Sequence, residues 1–146
     1  MLFASSRSEI SCFMRSIPRA SRDLALAADI RAALPRVRAD RHRLTQALSN
    51  LVSNALKVTT KGSVTIRLDD RGSEVSFAVI DTGPGIREED RARLFEPYWR
   101  AENAVYKGTG LGLAIVHGIV EAHGGRIWAE TPPHPGAAIV FTVPSA

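Results

Sequence analysis

Residues 81–86 read Asp-Thr-Gly-Pro-Gly-Ile, and residues 108–113 read Gly-Thr-Gly-Leu-Gly-Leu. The first stretch places one carboxylate inside a glycine-rich turn, and the second is a glycine-rich turn that opens into an apolar helix. Glycine permits a positive φ and has no Cβ to keep a ligand away from the backbone amides. A helix that begins in such a turn directs its free N–H groups outward, where they suit a phosphate. Together the two stretches predict a nucleotide pocket, with a carboxylate for the base and an amide cluster for the phosphates.

Two segments before the first turn alternate between apolar and polar residues, as half-buried strands do. They are residues 63–68, with Val64, Ile66 and Leu68 on one face, and residues 74–80, with Val75, Phe77 and Val79 on one face. The turn signal Asp70-Arg71-Gly72 lies between them and predicts a hairpin. Asp81 would then lie at the end of the second strand of this hairpin.

A polar face recurs on the predicted helix over residues 40–58. Asp40 is a good N-cap for this helix, and its leucines recur at helical spacing. Asn50, Asn54 and Lys57 are spaced i, i+4, i+7 and therefore share one face. An amide oxygen suits Mg²⁺, and a lysine is a compact partner for phosphate. A solvated face is the alternative interpretation, but asparagine is a poor helix former with little other reason to recur here.

The remaining segments complete an α/β (α+β) pattern. We expect strands at residues 24–30, 126–129 and 138–143, helices at residues 87–94 and 110–123, and a loop over residues 95–108. Neighbouring strands pair as hairpins, which predicts a two-layer sandwich with a mixed, mostly antiparallel sheet and about three helices on one face. Residues 1–23 show no firm period, so we expect a basic linker or disordered segment there and the domain over residues 24–146.

Composition excludes several classes of protein. The chain has 146 residues, 45% hydrophobic and 23% charged, which suits one globular domain. No apolar run approaches the roughly 18 residues of a membrane span. Cys12 is the only cysteine, which excludes an intramolecular disulfide and a cysteine zinc site. Residues 1–43 carry nine arginines against four acidic residues, but without interleaved aromatic residues or a recognition-helix pattern we expect no nucleic-acid binding.

The ordered set of motifs resembles the ATP-binding catalytic domain of sensor histidine kinases, in the Bergerat-fold (GHKL) group that includes gyrase, chaperone and mismatch-repair ATPases. The likeness runs from about Leu24 to Pro144. Residues 50–57 resemble the N box of that family, residues 81–86 its G1 box, residues 94–99 its F box and residues 108–113 its G2 box. The resemblance implies a domain that positions Mg²⁺–ATP for γ-phosphoryl transfer to a histidine on a separate helical-hairpin domain, with a response regulator downstream.

The resemblance also implies roles for particular residues. Asp81 would bond adenine, Asn54 would coordinate Mg²⁺ with help from Asn50, and Lys57 would meet a phosphate. A mobile lid between Phe95 and Gly108 would cover the nucleotide, and Lys107 or Arg100 could reach the phosphates from it. Asn50 and Lys57 are the implied catalytic residues. The implied nucleotide-binding set is Asn50, Asn54, Lys57, Asp81, Gly83, Gly85, Ile86, Lys107, Gly108, Thr109, Gly110, Leu111, Gly112 and Leu113.

The residue at position 50 bears on whether the domain transfers a phosphoryl group or hydrolyses ATP. Members of the family that hydrolyse ATP usually have Glu there to activate water. The uncharged amide of Asn50 cannot accept that proton near neutral pH, so it favours phosphoryl transfer to another group.

Three departures from the family pattern keep other functions open. Val58 stands where Phe or Tyr commonly lies beside the base, and Ala137 stands where Thr or Ser is frequent, so a hydroxyl near the adenine pocket is missing. Only residues 101–107 separate the F-box-like and G2-like motifs, which makes the lid short. These changes suggest weaker nucleotide binding. A self-sufficient ATPase of the gyrase or chaperone type, and a non-catalytic nucleotide-binding or partner-docking module, are the alternatives.

None of the four histidines matches the phosphorylated motif of the family, which resembles His-Glu-x-Arg-x-Pro. His117 and His123 lie in or at the end of an apolar helix, where a structural role is expected. We therefore expect the phosphoacceptor on another domain, either in a longer parent protein or in a separate partner. We also expect a cytoplasmic location, including as the cytoplasmic part of a membrane sensor, and a monomer in isolation.

Overall fold

The computed structural model describes residues 2–4 (backbone), 7–17, 24–31, 33–99 and 111–146. The strands and helices follow one another in this order: β1 (Leu2–Ala4), α1 (Arg7–Arg15), β2 (Leu24–Ile30), β3 (Arg36–Arg38), α2 (Arg41–Val58), β4 (Gly62–Asp70), β5 (Glu74–Asp81), a 3₁₀ helix (Glu88–Arg93), α3 (Gly112–Ala122), β6 (Ile127–Glu130) and β7 (Ala137–Pro144). The predicted helices and strands over residues 24–146 are all present within the described ranges. The segment predicted as a short helix over residues 87–94 is the 3₁₀ helix.

The main sheet has five strands in the order β2-β4-β5-β7-β6. β2 pairs in parallel with β4, and the other neighbouring pairs are antiparallel. The parallel pair needs a crossover, which α2 provides. The sheet is therefore mixed and mostly antiparallel, as the sequence predicts. β5 and β7 lie side by side inside it, so Asp81 at the end of β5 is paired with Ala137 at the start of β7.

Helices α2 and α3 pack against each other and against β5 and β7, which gives the predicted two-layer arrangement. The alternation of β4 and β5 points one face into this core, and the inward side chains are fully buried: Val64, Ile66, Leu68, Val75 and Phe77. Phe77 stacks on Phe141 of β7 with ring centroids 4.9 Å apart. The apolar stripe of α2 meets the same core with Leu44, Ala47, Leu48, Leu51, Val52 and Ala55.

The N-terminal segment is more ordered than a linker. α1 buries Ile10, which is 1% exposed, and Phe13, Met14 and Ile17 pack against the core. The sequence hides this helix because its few apolar residues are scattered among serines and arginines, so no clear period emerges. Residues 7–17 therefore pack as part of the fold, which corrects the expectation of a linker or disordered segment for this stretch.

β1 and β3 form a separate two-stranded antiparallel ribbon. β3 also bridges Ser145 through Val37. Val37 is fully buried, which explains why this short segment is held in place. Three residues carry too little alternation to be recognised as a strand from sequence alone.

Candidate functional site

Asp81 is buried at the end of β5, with 7% of its surface exposed. Its Oδ1 accepts hydrogen bonds from the backbone N–H groups of Gly83, at 2.9 Å, and Ala137, at 3.2 Å. Burial raises the pKa of Asp81, while these two amides and the charge of His134 lower it. Both bonds go to Oδ1, so Oδ2 is the oxygen that can accept a hydrogen bond from a ligand. A buried carboxylate arranged in this way suits an amine.

Two glycines let the Asp81 loop approach the turn between β6 and β7. Gly85 and Gly136 have φ values of 82° and 137°, which disfavour any residue with a side chain. A Cβ on Gly136 would lie 1.9 Å from the carbonyl oxygen of Asp81, and a Cβ on Gly85 would lie 3.0 Å from that of Gly136. The two loops are therefore in contact through their backbones, and this contact fixes the amide of Ala137 beside Asp81.

α2 carries the predicted polar face into the same region. Asp40 caps the helix by accepting hydrogen bonds from the N–H groups of His42 and Arg43, at 2.9 and 3.1 Å. Asn50 is half-buried, and its Nδ2 is buried without a hydrogen-bond partner among the described residues. Asn54 is half-buried and Lys57 is exposed. The helix thus presents two amides and one ammonium group in successive turns.

The start of α3 lies against Asn54. A Cβ built on Gly112 would lie 3.5 Å from Asn54 Nδ2 and 3.7 Å from its Oδ1. Leu111 and Leu113 are half-buried on either side of this glycine. The first N–H groups of a helix have no partner within the helix, so this terminus can bind an anion. The structure therefore joins the N-box-like face of α2 to the first turn of α3.

Several predicted residues fall outside the described ranges: Arg100, Lys107, Gly108, Thr109 and Gly110. The predicted lid is described as far as Trp99.

Ile86 lies in the wall of a cavity of about 290 Å³ between the Asp81 loop and the β6–β7 turn. Arg87, Arg91 and His134 line the same cavity. Arg91 donates hydrogen bonds to the carbonyl oxygen of Ala129, at 3.3 Å, and to the hydroxyl of Thr131. This arginine therefore ties the 3₁₀ helix to the strand at the edge of the sheet.

His123 connects α3 to α2. Its Nε2 accepts a hydrogen bond from the backbone N–H of Asp40, at 3.0 Å, and its Nδ1 lies 2.7 Å from the carbonyl oxygen of Ile119. An acceptor Nε2 requires the proton on Nδ1, which then donates to Ile119. The structural role expected of this histidine is therefore the joining of the end of α3 to the N-cap of α2.

Thr59 lies beside the Asp81 loop and is not among the residues that the sequence singles out. It directly follows α2, is 2% exposed and lies beside Gly83. A threonine at the end of a helix is unremarkable in sequence, and only the tertiary contact with the Asp81 loop reveals its burial.

Within the described ranges, no group of three His, Cys, Asp or Glu side chains could hold a metal ion. Over the same ranges, no helix has both the length and the apolar character that crossing a membrane requires.

The chain is similar to known proteins over nearly all of its length. Residues 39–146 match the family described as histidine kinase-, DNA gyrase B-, and HSP90-like ATPase. The adaptive-response sensory kinase SasA of Synechococcus sp. (strain CC9311) is 42% identical over 127 residues, which cover 84% of this chain and 33% of SasA. The chain thus spans about a third of the length of the curated relatives it matches.

Two solved histidine kinases share the fold. Full-length ShkA in complex with AMPPNP has a TM-score of 0.85 at 34% identity, covering 99% of this chain and 31% of ShkA. The catalytic domain of ThkA has a TM-score of 0.81 at 31% identity, covering 99% of this chain and 97% of that domain. ThkA in complex with the response regulator protein TrrA has a TM-score of 0.79 at 30% identity, covering 100% and 42% of the two chains. This chain therefore belongs to the histidine kinase-, DNA gyrase B- and HSP90-like ATPase family, and its fold is that of the histidine kinase catalytic domains.

Proposed function

We propose that this domain binds Mg²⁺–ATP and positions the γ-phosphoryl group for transfer to a histidine on a separate helical-hairpin domain. The observation that carries the proposal is the buried carboxylate of Asp81, held through Oδ1 by two backbone amides. Such a carboxylate offers its other oxygen to an amine, as the exocyclic amine of adenine would require. The similarity to ShkA, whose solved structure is a complex with the ATP analogue AMPPNP, supports the same ligand class here.

The residues around Asp81 and α2 fit the rest of the nucleotide. Gly83, Gly85 and Ile86 would line the base. Lys57 and Lys107 would meet the phosphates, together with the backbone amides of the glycine-rich turn and the first turn of α3, which comprise Gly108, Thr109, Gly110, Leu111, Gly112 and Leu113. Helix starts and glycine-rich turns favour phosphate because they direct several backbone N–H groups toward one anion.

Asn54 and Asn50 fit a magnesium site. The amide of Asn54 faces a glycine without a side chain, and Asn50 Nδ2 is buried without a partner among the described residues. We assign Asn54 Oδ1 as the metal ligand, since hard oxygen donors suit Mg²⁺. Asn50 would hold a metal-bound water or a phosphate oxygen. The metal supplies neutralisation of the charge on the β- and γ-phosphates when bound.

The chemistry requires positioning more than covalent participation by this domain. The acceptor imidazole nitrogen attacks the γ-phosphorus, the bond to the bridging oxygen of the β-phosphate breaks, ADP leaves, and the proton on the other ring nitrogen passes to solvent. Asn50 and Lys57 would hold the phosphates in line for this step. Since the amide of Asn50 cannot take a proton from water, hydrolysis by this domain alone should be slow.

The proposed partners follow from the absent acceptor motif. We infer that the phosphoacceptor hairpin lies in a longer parent protein or in a separate chain, with a response regulator acting downstream. The ThkA structure is a complex with a response regulator protein, which supports this context. We place the domain in the cytoplasm, with residues 24–146 as its core, as a monomer on its own, and with no nucleic-acid partner.

The test is a transfer assay with γ-labelled ATP and a histidine-containing hairpin encoded upstream or in a neighbouring reading frame. The proposal expects an acid-labile label on the hairpin that depends on this domain. Steady phosphate release at several turnovers per minute without any hairpin would instead establish a self-sufficient ATPase. Tight ATP binding without a labelled histidine on any tested hairpin would establish a nucleotide-binding module.

A further inference from the structure

Thr59 has a buried hydroxyl that the protein does not satisfy. The residue is 2% exposed, and its backbone N–H closes α2 by donating to the carbonyl oxygen of Ala55 at 3.0 Å. Its Oγ1 is buried and makes no hydrogen bond within the described part of the chain. An unpaired buried hydroxyl lowers stability, and a water or a ligand that bonds it would remove this cost.

The position of Gly83 shows what this hydroxyl lies beside. A Cβ built on Gly83 would lie 3.2 Å from Thr59 Oγ1, 3.2 Å from Asp81 Oδ1 and 3.1 Å from the carbonyl oxygen of Val58. A hydroxyl and a carboxylate, each on a residue more than nine-tenths buried, therefore approach the same bare Cα. Any side chain at position 83 would fill this space.

We propose that Thr59 is a specificity-determining residue of the nucleotide site, whose hydroxyl reads the base beside Asp81. The inference rests on the proposed function. Asp81 accepts a hydrogen bond from the exocyclic amine of adenine, and the Thr59 hydroxyl donates to the adjacent ring nitrogen N1, directly or through one water.

A 6-aminopurine presents a donor next to an acceptor, which this pair of side chains matches. Guanine presents a carbonyl oxygen and a ring N–H at the same two positions. The Asp81 carboxylate repels that carbonyl oxygen and so disfavours guanine, whereas the Thr59 hydroxyl, which can donate or accept, distinguishes bases that have a polar ring position from those that have C–H there. Thr59 also supplies the hydroxyl that the sequence lacks at position 137, where the backbone N–H of Ala137 holds Asp81 instead.

The test separates the hydroxyl from the shape of the side chain. Thr59→Val keeps the shape and removes the hydroxyl, whereas Thr59→Ser keeps the hydroxyl. Affinities for ATP and for 1-deaza-ATP, in which a C–H group replaces N1, are measured for both variants and the wild type. Wild-type protein should prefer ATP. Thr59→Val should bind ATP about tenfold more weakly and 1-deaza-ATP unchanged, and Thr59→Ser should keep the wild-type preference.

Thermal unfolding distinguishes this role from a merely structural one. If the Thr59 hydroxyl only stabilised the fold, Thr59→Val would lower the melting temperature. Thr59→Val should melt at the wild-type temperature or above, because it removes an unpaired buried hydroxyl. Thr142→Val is the matched control. Thr142 is equally buried, but its Oγ1 accepts from the N–H of Arg126 at 3.1 Å. This control should lose stability and keep both nucleotide affinities.

Equal ATP affinity in wild type and Thr59→Val would overturn the inference, and so would an equal loss of affinity for both nucleotides. A wild-type protein that binds ATP and 1-deaza-ATP equally would overturn it even if Thr59→Val did not fold. A wild-type protein that binds neither nucleotide would reject the proposed function itself, and the inference with it.

Discussion

The carboxylate of Asp81 accepts a hydrogen bond from the backbone N–H of Ala137, 3.2 Å away and 56 residues further along the chain. This bond joins the end of β5 to the start of β7, two strands that also pair inside the sheet. With the N–H of Gly83 it holds Oδ1 and leaves Oδ2 to meet a ligand. The carboxylate is thus oriented by backbone groups, so single substitutions at most neighbouring positions should leave its direction unchanged.

Asp81→Asn should leave the fold as stable as the wild type at neutral pH, or make it more stable. Burial raises the pKa of Asp81 above its ordinary value of 3.8, although the amides of Gly83 and Ala137 lower it in part. A carboxyl group with a raised pKa binds protons more tightly in the folded state, so its contribution to stability falls as pH rises through that range. A neutral amide avoids this loss and still accepts both backbone hydrogen bonds. Thermal unfolding of both proteins from about pH 4 to pH 8 checks this, and a variant that melts well below wild type at neutral pH would contradict it.

ATP affinity should fall as the pH is lowered through the raised pKa of Asp81. The ionised carboxylate accepts a hydrogen bond from an amine, whereas the protonated form has lost that charge. Binding titrations across this range measure the effect. The triphosphate also titrates, so Asp81→Asn is the control: its affinity should follow the ligand alone and show a smaller pH dependence. Parallel pH profiles for the two proteins would show that Asp81 is not the titrating group.

Gly112→Ala and Gly118→Ala form a matched pair on α3. Gly118→Ala, in the interior of α3, should raise stability by about 0.5–1 kcal/mol, since alanine favours a helix over glycine, and Gly112→Ala, at the first residue of α3, should raise it less. A Cβ at position 112 would contact the Asn54 amide at 3.5 Å, whereas a Cβ at position 118 meets no atom within 4 Å. Gly112→Ala should therefore weaken Mg²⁺–ATP binding, and Gly118→Ala should not. Calorimetric titration beside thermal unfolding tests this, and equal nucleotide affinity in the two variants would contradict the placement of the phosphates at the first turn of α3.

His123→Ala should destabilise the fold by about 1–2 kcal/mol, because the N–H of Asp40 and the carbonyl oxygen of Ile119 both lose a partner. Urea unfolding at neutral pH measures the loss. The exposed His42 provides the control, and His42→Ala should change stability by no more than about 0.5 kcal/mol. A loss of the same size in both variants would show that the contact between α3 and the α2 N-cap contributes little.

The strands of the core could be predicted because alternation has a simple physical cause. Val64, Ile66 and Leu68 face one side of a pleated strand, and that side is buried in the core, where β4 contacts α2. The parallel pairing of β2 with β4 could not be predicted, since it depends on α2 carrying the chain across the sheet. α1 was missed because Ile10 and its neighbours stand among polar residues.

Some residues of the candidate site could also be predicted from the sequence, and others could not. Asp81 could be singled out because it directly follows an apolar strand and stands in order with the Asn50–Asn54–Lys57 face and the second glycine-rich turn, although an aspartate before a glycine is common in turns. Thr59 could not, because its significance lies in a contact with Gly83 that sequence spacing does not reveal. Ala137 could be predicted in part. The sequence shows that position 137 lacks a hydroxyl, but only the structure shows that the backbone N–H of Ala137 donates a hydrogen bond to Asp81.

The most direct measurement is calorimetric titration of AMPPNP with Mg²⁺ into the wild-type domain and into Asp81→Asn. If the domain is an ATP-binding catalytic domain, wild type binds one molecule, and the variant binds roughly 10–100-fold more weakly without a lower melting temperature. No binding by the wild type, or equal affinity in the two proteins, would contradict the assignment of this carboxylate to the base.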